Sequence, residues 1–375
     1  MSQRLVLSTV GISILLNGLE KTEQEWRERL NAAANHPELS PDLEDKVNEL
    51  SQRVLDRMQN SSVQENRKRC AELNGLYGIY GNNLAAASKD THFLIATDTA
   101  LGKASATILQ AFLHANQIQQ VQVYIPPNLS TESTAKFSGG MKALIRWCED
   151  TLPGYQERKY EIVFNLTGGF KGMQGYLTTV GMLYANQLVY IFEGGEQLLS
   201  IPKLPLQIKL EEVRQHGVHL AMMAEGYLLP SQQAADIPSS LLEEDGDDVT
   251  LSDWGLLVWN KAKEELLCEE LLPFPYMEFS DRFKKDFKDA ECKDKVQLQE
   301  SLAKVAKILA ESHGDPSGLK SDRGLQYDNY THKKQGNLPI GHFRVSQATR
   351  VSCTYEGGKL HLRRFGREEE VNANP

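Results

Sequence analysis

Residues 160–172, YEIVFNLTGGFKG, set the strongest constraint on what this chain can fold into. An apolar run of strand length ends in a small, polar, glycine-paired turn carrying one lysine, and a helix-like stretch over 172–185 follows. The same strand–turn–helix order recurs. Residues 4–10 lead into GISILL, and 91–97 lead into a helix over 100–116. Residues 119–125 stop at a proline pair before a helix over 140–152, and 188–192 form a last strand closed by LSIPKLPL. Charged, amphipathic helices are predicted over 41–57 and 62–75. Strands alternating with helices pair through crossovers, so this pattern predicts an α/β, Rossmann-like, doubly wound parallel sheet.

In such a sheet a ligand sits beyond the carboxyl ends of the strands, where the strand order reverses. Ser8, Thr9, Gly11 and Ser13 fall there after the first strand, Thr97, Asp98 and Thr99 after the second, and Asn165, Thr167, Gly168, Gly169 and Lys171 after the 161–166 strand. Small hydroxyl residues and glycines let a ligand approach the backbone, and free N–H groups at a helix start attract anions. The turns are not GxGxxG, which disfavours a dinucleotide site, and not GxxxxGK[ST], which excludes a P-loop. A phosphate-bearing ligand is expected, although the same residue types also build ordinary turns.

Beyond residue 209 the pattern changes. Residues 210–296 are predicted to be a mostly helical connector, with helices over 210–226 and 254–271 flanking an acidic loop, LLEEDGDDVTLSD at 241–253. Residues 297–375 begin with a helix over 298–312. Strands follow over 341–346, 349–356 and 359–365, the last two joined by the turn EGGK. Helix followed by antiparallel sheet predicts an α+β domain. The net charge of −9 argues against a chain that coats nucleic acid, yet residues 320–367 concentrate lysine and arginine. Five scattered cysteines without a CxxC predict reduced thiols, no metal site and no disulfide framework. Residues 5–16 lack the basic start of a secretory leader, and no apolar run reaches membrane-spanning length, so a cytoplasmic protein without a membrane partner is expected.

Alternation along a strand places His342 and Arg344 on one face, with Arg350 and Arg367 converging from neighbouring strands. Cleavage of RNA without a metal needs a base for the 2′-OH proton, cations for the crowded phosphate and an acid for the leaving oxygen. His342 is the preferred base because imidazole titrates near neutrality. His332, beside Lys333 and Lys334, is the reserve, and His361 is expected to face away or to pack, since Leu360 and Leu362 flank it. A rival ribonuclease pattern is the RQHGVH segment, where Arg214 and His219 fit the spacing of HEPN nucleases. A HEPN bundle, however, needs helices where the C-terminus reads as sheet.

The segments LSTVGISILLN, ATDTALGKASA, FNLTGGFKGMQGY and VYIFEGGEQLLSIPKLPL together resemble a CRISPR-associated Rossmann-fold (CARF) domain over residues 4–209, closest to the branch that includes ring nucleases. That resemblance implies a homodimer binding a cyclic oligoadenylate, most often cyclic tetra-adenylate, across its two-fold axis. Ser13 and Lys171 then match the serine and lysine that contact the ring's phosphodiester, with Thr9, Gly11, Asn165, Thr167, Gly168 and Gly169 lining the pocket. Ile12 stands where many relatives carry threonine. Whether the domain also degrades its ring is left open.

Residues 297–372 resemble the end of a RelE-type mRNA interferase. Arg350 and Arg367 match the family's two arginines, and His342 and Arg344 stand where its basic strand residues, usually lysines, are found. The terminal tyrosine of some members has no counterpart, with Asn372 near its place. The two resemblances imply a type III CRISPR effector in which cyclic tetra-adenylate activates a metal-independent endoribonuclease that cuts mRNA on the ribosome, with no cofactor and no DNA partner. A stand-alone ring nuclease and a binding regulator with a non-catalytic C-terminal module are the alternatives.

Overall fold

Every residue of the strand Thr91–Ile95 is buried, as are five of the six in Arg4–Thr9. Strands buried on both sides need cover on both faces, the condition of a parallel sheet. The computed structural model describes residues 3–192, 194–206 and 208–375. Met1, Ser2, Glu193 and Gln207, all within the first predicted domain, lie outside the described residues. The chain divides into two units, Met1–Leu206 and Gln207–Pro375.

The first unit runs β1 (Arg4–Thr9), α1 (Ser13–Leu16), α2 (Gln24–Ala32), α3 (Pro41–Gln59), α4 (Val63–Arg69), α5 (Ala71–Ile79), β2 (Thr91–Ile95), α6 (Ala100–Ala115), β3 (Val121–Tyr124), α7 (Thr134–Glu157), β4 (Glu161–Asn165), α8 (Lys171–Tyr184), β5 (Gln187–Tyr190) and β6 (Leu199–Ile201). The sheet order is β3-β2-β1-β4-β5-β6, parallel except for β6. Val6, Leu94, Val163 and Val189 pack with Leu50 of α3, Leu73 and Leu76 of α5 and Leu109 of α6. The alternate residues face α7 and α8: Phe93 meets Trp147 edge-on at 4.8 Å, and Gly181 brings α8 against Leu188 and Phe164. The order reverses between β1 and β4, so their carboxyl ends form the crevice.

Helix α7 is longer than the predicted 140–152. Ser133 caps its start, accepting from Lys136 N–H at 3.2 Å, and the helix continues past Pro153 to Glu157.

His92 is fully buried on β2, with Nε2 3.4 Å from the Tyr80 hydroxyl and Nδ1 without a partner. Burial lowers its pKa to about 4 from an ordinary 6.5. The folded state therefore resists a proton that the unfolded chain accepts, and stability falls as pH drops from 6.5 towards 4. The expected loss is on the order of 3 kcal/mol. Denaturant unfolding of wild type and His92→Gln at several pH values checks this, the variant losing that part of the slope.

The second unit runs α9 (Leu210–Gln215), α10 (Gly217–Ala224), β7 (Leu229–Pro230), β8 (Leu242–Asp245), β9 (Asp248–Leu251), α11 (Asp253–Glu269), β10 (Met277–Phe279), α12 (Asp281–Asp289), α13 (Cys292–Glu311), α14 (Ser317–Ser321), β11 (Asp328–Gln335), β12 (Leu338–Arg344), β13 (Thr349–Glu356), β14 (Lys359–Arg367) and α15 (Glu368–Ala373). The main sheet is β10-β14-β13-β12-β11, antiparallel except where β10 lies parallel to β14. Phe343, Val351, Cys353, Leu360 and Leu362 turn one face towards Phe283, Leu302, Val305 and Leu309 in a shared core.

Three expectations change here. The 296/297 boundary falls inside α13, and the connector supplies β10 and α12 to the C-terminal sheet and core, so the two predicted pieces form one unit. The acidic 241–253 stretch is not a loop. It pairs as the hairpin β8–β9, turning at Gly246 (φ +65°) and burying Val249 and Leu251. Cys268 of α11 and Cys292 at the start of α13 form a disulfide with Cα atoms 4.9 Å apart, where reduced thiols were expected; Cys70, Cys148 and Cys353 are free and buried. Among the described residues no helix is long and apolar enough to cross a membrane, and no cluster of His, Cys, Asp and Glu has metal-binding form.

Candidate functional site

The crevice between β1 and β4 is organised by a residue the sequence reading passed over. Glu72, at the start of α5, is fully buried, and its Oε1 accepts from the Gly11 N–H at 2.8 Å. The Gly169 N–H faces the same carboxylate, and the Cys70 thiol donates to Oε2 at 3.2 Å. Burial raises the Glu72 pKa, and these donors oppose the rise. One carboxylate thus ties the turn after β1 to the turn after β4. A lone charge in the apolar run CAELNGLYGIY was the signal that could have found it.

Around that tie Ser8, Thr9, Asn165 and Gln174 hydrogen-bond within the site. Asn165 Nδ2 donates to Ser8 Oγ (3.2 Å) and to the Glu72 main-chain oxygen (3.0 Å). A Cβ on Gly75 would lie 2.0 Å from Asn165 Oδ1, so this close approach requires glycine. Thr9 Oγ1 donates to the Gly168 carbonyl at 2.6 Å, and Gln174 Nε2 reaches the same oxygen at 3.0 Å. Gly169 has φ +80°, and a Cβ there would lie 2.9 Å from Thr9 Cβ.

Ser8, Thr9 and Asn165 are buried within this clamp. Ser13 is half-buried in the first turn of α1, and Lys171 is exposed at the first residue of α8. Thr167 Oγ1 is buried without a partner. Phe137 meets Phe170 and Tyr176 edge-on at 5.6 and 5.7 Å beside Lys171. A rigid glycine turn, an exposed cation and aromatic edges are suited to a nucleotide phosphate.

The third predicted turn serves its own unit. Thr99 caps α6 by accepting from Gly102 N–H (3.1 Å), and Thr97 Oγ1 lies 2.9 Å from Thr99 Oγ1. Asp98 pairs with Lys103 at 2.8 Å and accepts from Asn128 N–H, contacts that hold its pKa below the usual range.

In the second unit the sheet face opposite the core carries His342, Arg344, Arg350 and Ser352. His342 lies directly across from Ser352, and Arg344 from Arg350. The His342 ring sits 4.3 Å from the Tyr330 ring, and burial lowers its pKa. Both His342 Nδ1 and Ser352 Oγ are buried without hydrogen-bond partners. Arg350 is only 8% exposed. Its Nη1 donates to the Ser346 and Thr349 carbonyls at 2.8 and 3.0 Å, and its Nη2 pairs with Glu368 Oε2 at 3.1 Å. Arg344 Nε donates to the Ser346 carbonyl at 3.2 Å. Burial pushes the Tyr330 phenol up to about 12, and its hydroxyl donates to Asn372 Oδ1 at 2.6 Å.

Arg367 does not join this row. A register shift between Ser352 and Cys353 brings Arg364 opposite Ser352, while Arg367 pairs with Thr349 and stands exposed at the N-cap of α15. His332 is exposed at φ +66° in the irregular part of β11. His361 is half-exposed, with Nδ1 3.3 Å from Glu278 Oε2. Arg214 lies in the last turn of α9 and pairs with Glu269 at 2.7 Å, whereas His219 lies on α10 past the break at His216, with its pKa lowered by burial. A helix break thus separates the two residues of the rival pattern, and the arginine is ion-paired with Glu269.

No curated protein matches the chain. Residues 67–204 match the family model described as CRISPR-associated protein (Cas_APE2256). The matched segment holds Glu72, the 97–99 turn and the 165–171 turn; Ser8, Thr9, Gly11 and Ser13 precede it. Over those residues the first unit is similar to a CRISPR-associated family.

Proposed function

We propose that the chain is a type III CRISPR effector in which a cyclic oligoadenylate, cyclic tetra-adenylate by preference, binds the first unit of a homodimer and activates RNA cleavage by the second. The CRISPR-associated match over the crevice and its glycine turn supports the sensor reading. A two-fold ring suits a pocket shared by two copies of one surface. In the second unit the reading rests on one observation: a buried imidazole nitrogen without a partner, beside a buried arginine, on a strand face.

The chemistry follows from those groups. His342, neutral at pH 7 because burial disfavours its charge, takes the 2′-OH proton. The 2′-oxygen attacks the adjacent phosphorus, and Arg350 neutralises the added charge. The P–O5′ bond breaks and the 5′-oxygen takes up a proton, leaving a 2′,3′-cyclic phosphate and a 5′-hydroxyl. By the RelE resemblance the substrate is mRNA on the ribosome.

Lys171→Ala tests the sensor half. Lys171 is exposed at the α8 start, so its loss should spare folding. Affinity for cyclic tetra-adenylate is expected to fall about 10- to 100-fold, the worth of one charge-assisted phosphate contact. Isothermal titration of wild type and variant measures it, and equal affinities contradict the assignment. Chromatography of the labelled ring after incubation separates a sensor from a ring nuclease.

A further inference from the structure

The outer face of the C-terminal sheet is already occupied by the chain's own end. Helix α15 crosses it from β14, where a Cβ on Gly366 would lie 3.7 Å from Glu370 and 3.8 Å from Val371. Val371 is fully buried. At the far side Tyr330 donates to Asn372 Oδ1, and Lys333 Nζ donates to the Asn372 carbonyl. Arg364 Nη1 holds the Asn374 carbonyl at 3.1 Å. Three side chains from β11 and β14 thus hold Asn372 and Asn374.

What lies on this face does not match a cover of purely structural purpose. His342 Nδ1 and Ser352 Oγ, opposite each other, are desolvated without partners, an arrangement that costs about 1–3 kcal/mol per group unless something else uses them. Beside them the Arg350 guanidinium has one anion, the Glu368 carboxylate at 3.1 Å, which is 43% exposed and sits on the first residue of α15. A carboxylate pairs with an arginine through the same geometry as a phosphate does.

We propose that Glu368 occupies on Arg350 the seat of an RNA phosphate, so that α15 masks the His342–Ser352–Arg350 face until an RNA strand displaces it. This rests on the ribonuclease reading of the face and adds its regulation.

The test uses the full chain carrying Glu368→Gln, which keeps shape and removes charge. Glu369→Gln, one residue along and exposed, controls for net charge. Asn372→Ala, which removes the Tyr330 tether without touching Arg350, is the second variant. The probe is a 2′-O-methyl RNA oligonucleotide, which binds but cannot be cut, followed by fluorescence anisotropy; cleavage of mRNA on translating ribosomes is followed both without and with cyclic adenylate. Glu368→Gln should bind the probe about fivefold more tightly, the upper end for a partly exposed ion pair. Its unstimulated cleavage should rise in step, Asn372→Ala should move both the same way, and Glu369→Gln should stay within about twofold of wild type. Unchanged or weaker probe binding by Glu368→Gln and Asn372→Ala overturns the mask. Tighter binding with no cleavage by any protein keeps the mask and removes the ribonuclease reading. Stimulated cleavage by wild type with unaltered probe binding by the variants does the reverse.

Discussion

His342→Ala should lower cyclic-adenylate-stimulated RNA cleavage by about 10²- to 10⁴-fold, the range that a positioned general base contributes. Ring binding by the first unit should be unaffected. The effect depends on protonation in a defined direction. Burial lowers the His342 pKa from 6.5, so the imidazole stays neutral, and able to accept a proton, at pH values where a solvent-exposed histidine would be charged. In the wild type the acid limb of kcat/KM should therefore be centred below pH 6.5. A limb centred at or above pH 6.5 would assign the base elsewhere. His332, exposed on β11, is the comparison: His332→Ala should change the rate less than about threefold, as expected of a surface group outside the site.

Gly169→Val should have the largest effect on the first unit. The residue sits at φ +80°, where a β-branched side chain is strained by about 1–3 kcal/mol. Its Cβ would also lie 2.9 Å from Thr9 Cβ and 3.0 Å from Met173 Cε. The turn must move, and with it the N–H that faces Glu72. We expect a stability loss of about 2–4 kcal/mol and at least a 100-fold loss of ring affinity. Unfolding in denaturant and titration calorimetry read the two effects. Lys171→Ala, by contrast, should lose affinity without losing stability.

The parallel sheet was legible because strands buried on both faces are nearly continuous apolar runs, and the helix starts behind Thr99 and Ser252 were read closely, whereas α7, capped by Ser133, was read only from 140. The glycine turn was legible for the same reason: φ +80° at Gly169 and close contact at Gly168 and Gly75 need that residue. What escaped depends on partners distant in sequence. Glu72 reads as one acid on a helix until the fold puts Gly11 and Gly169 against it. Strand β10 has three residues and takes its identity from pairing with β14. The β8–β9 hairpin carried its aspartate–glycine turn in plain view, but its acidic first strand hid the alternation. A single irregularity at Ser352/Cys353 moved Arg364 into the row where strict alternation put Arg367. Cys268 and Cys292 meet only because α11 packs on α13.

The central claim is that a cyclic adenylate bound by the first unit switches RNA cleavage by the second. The most direct measurement incubates the full chain with translating ribosomes, with and without cyclic tri-, tetra- and hexa-adenylate, and maps the mRNA ends. New ends bearing a 2′,3′-cyclic phosphate, present only with one ring size and lost in His342→Ala, are predicted. Identical ends with and without every ring, or the same ends from His342→Ala, would contradict the account.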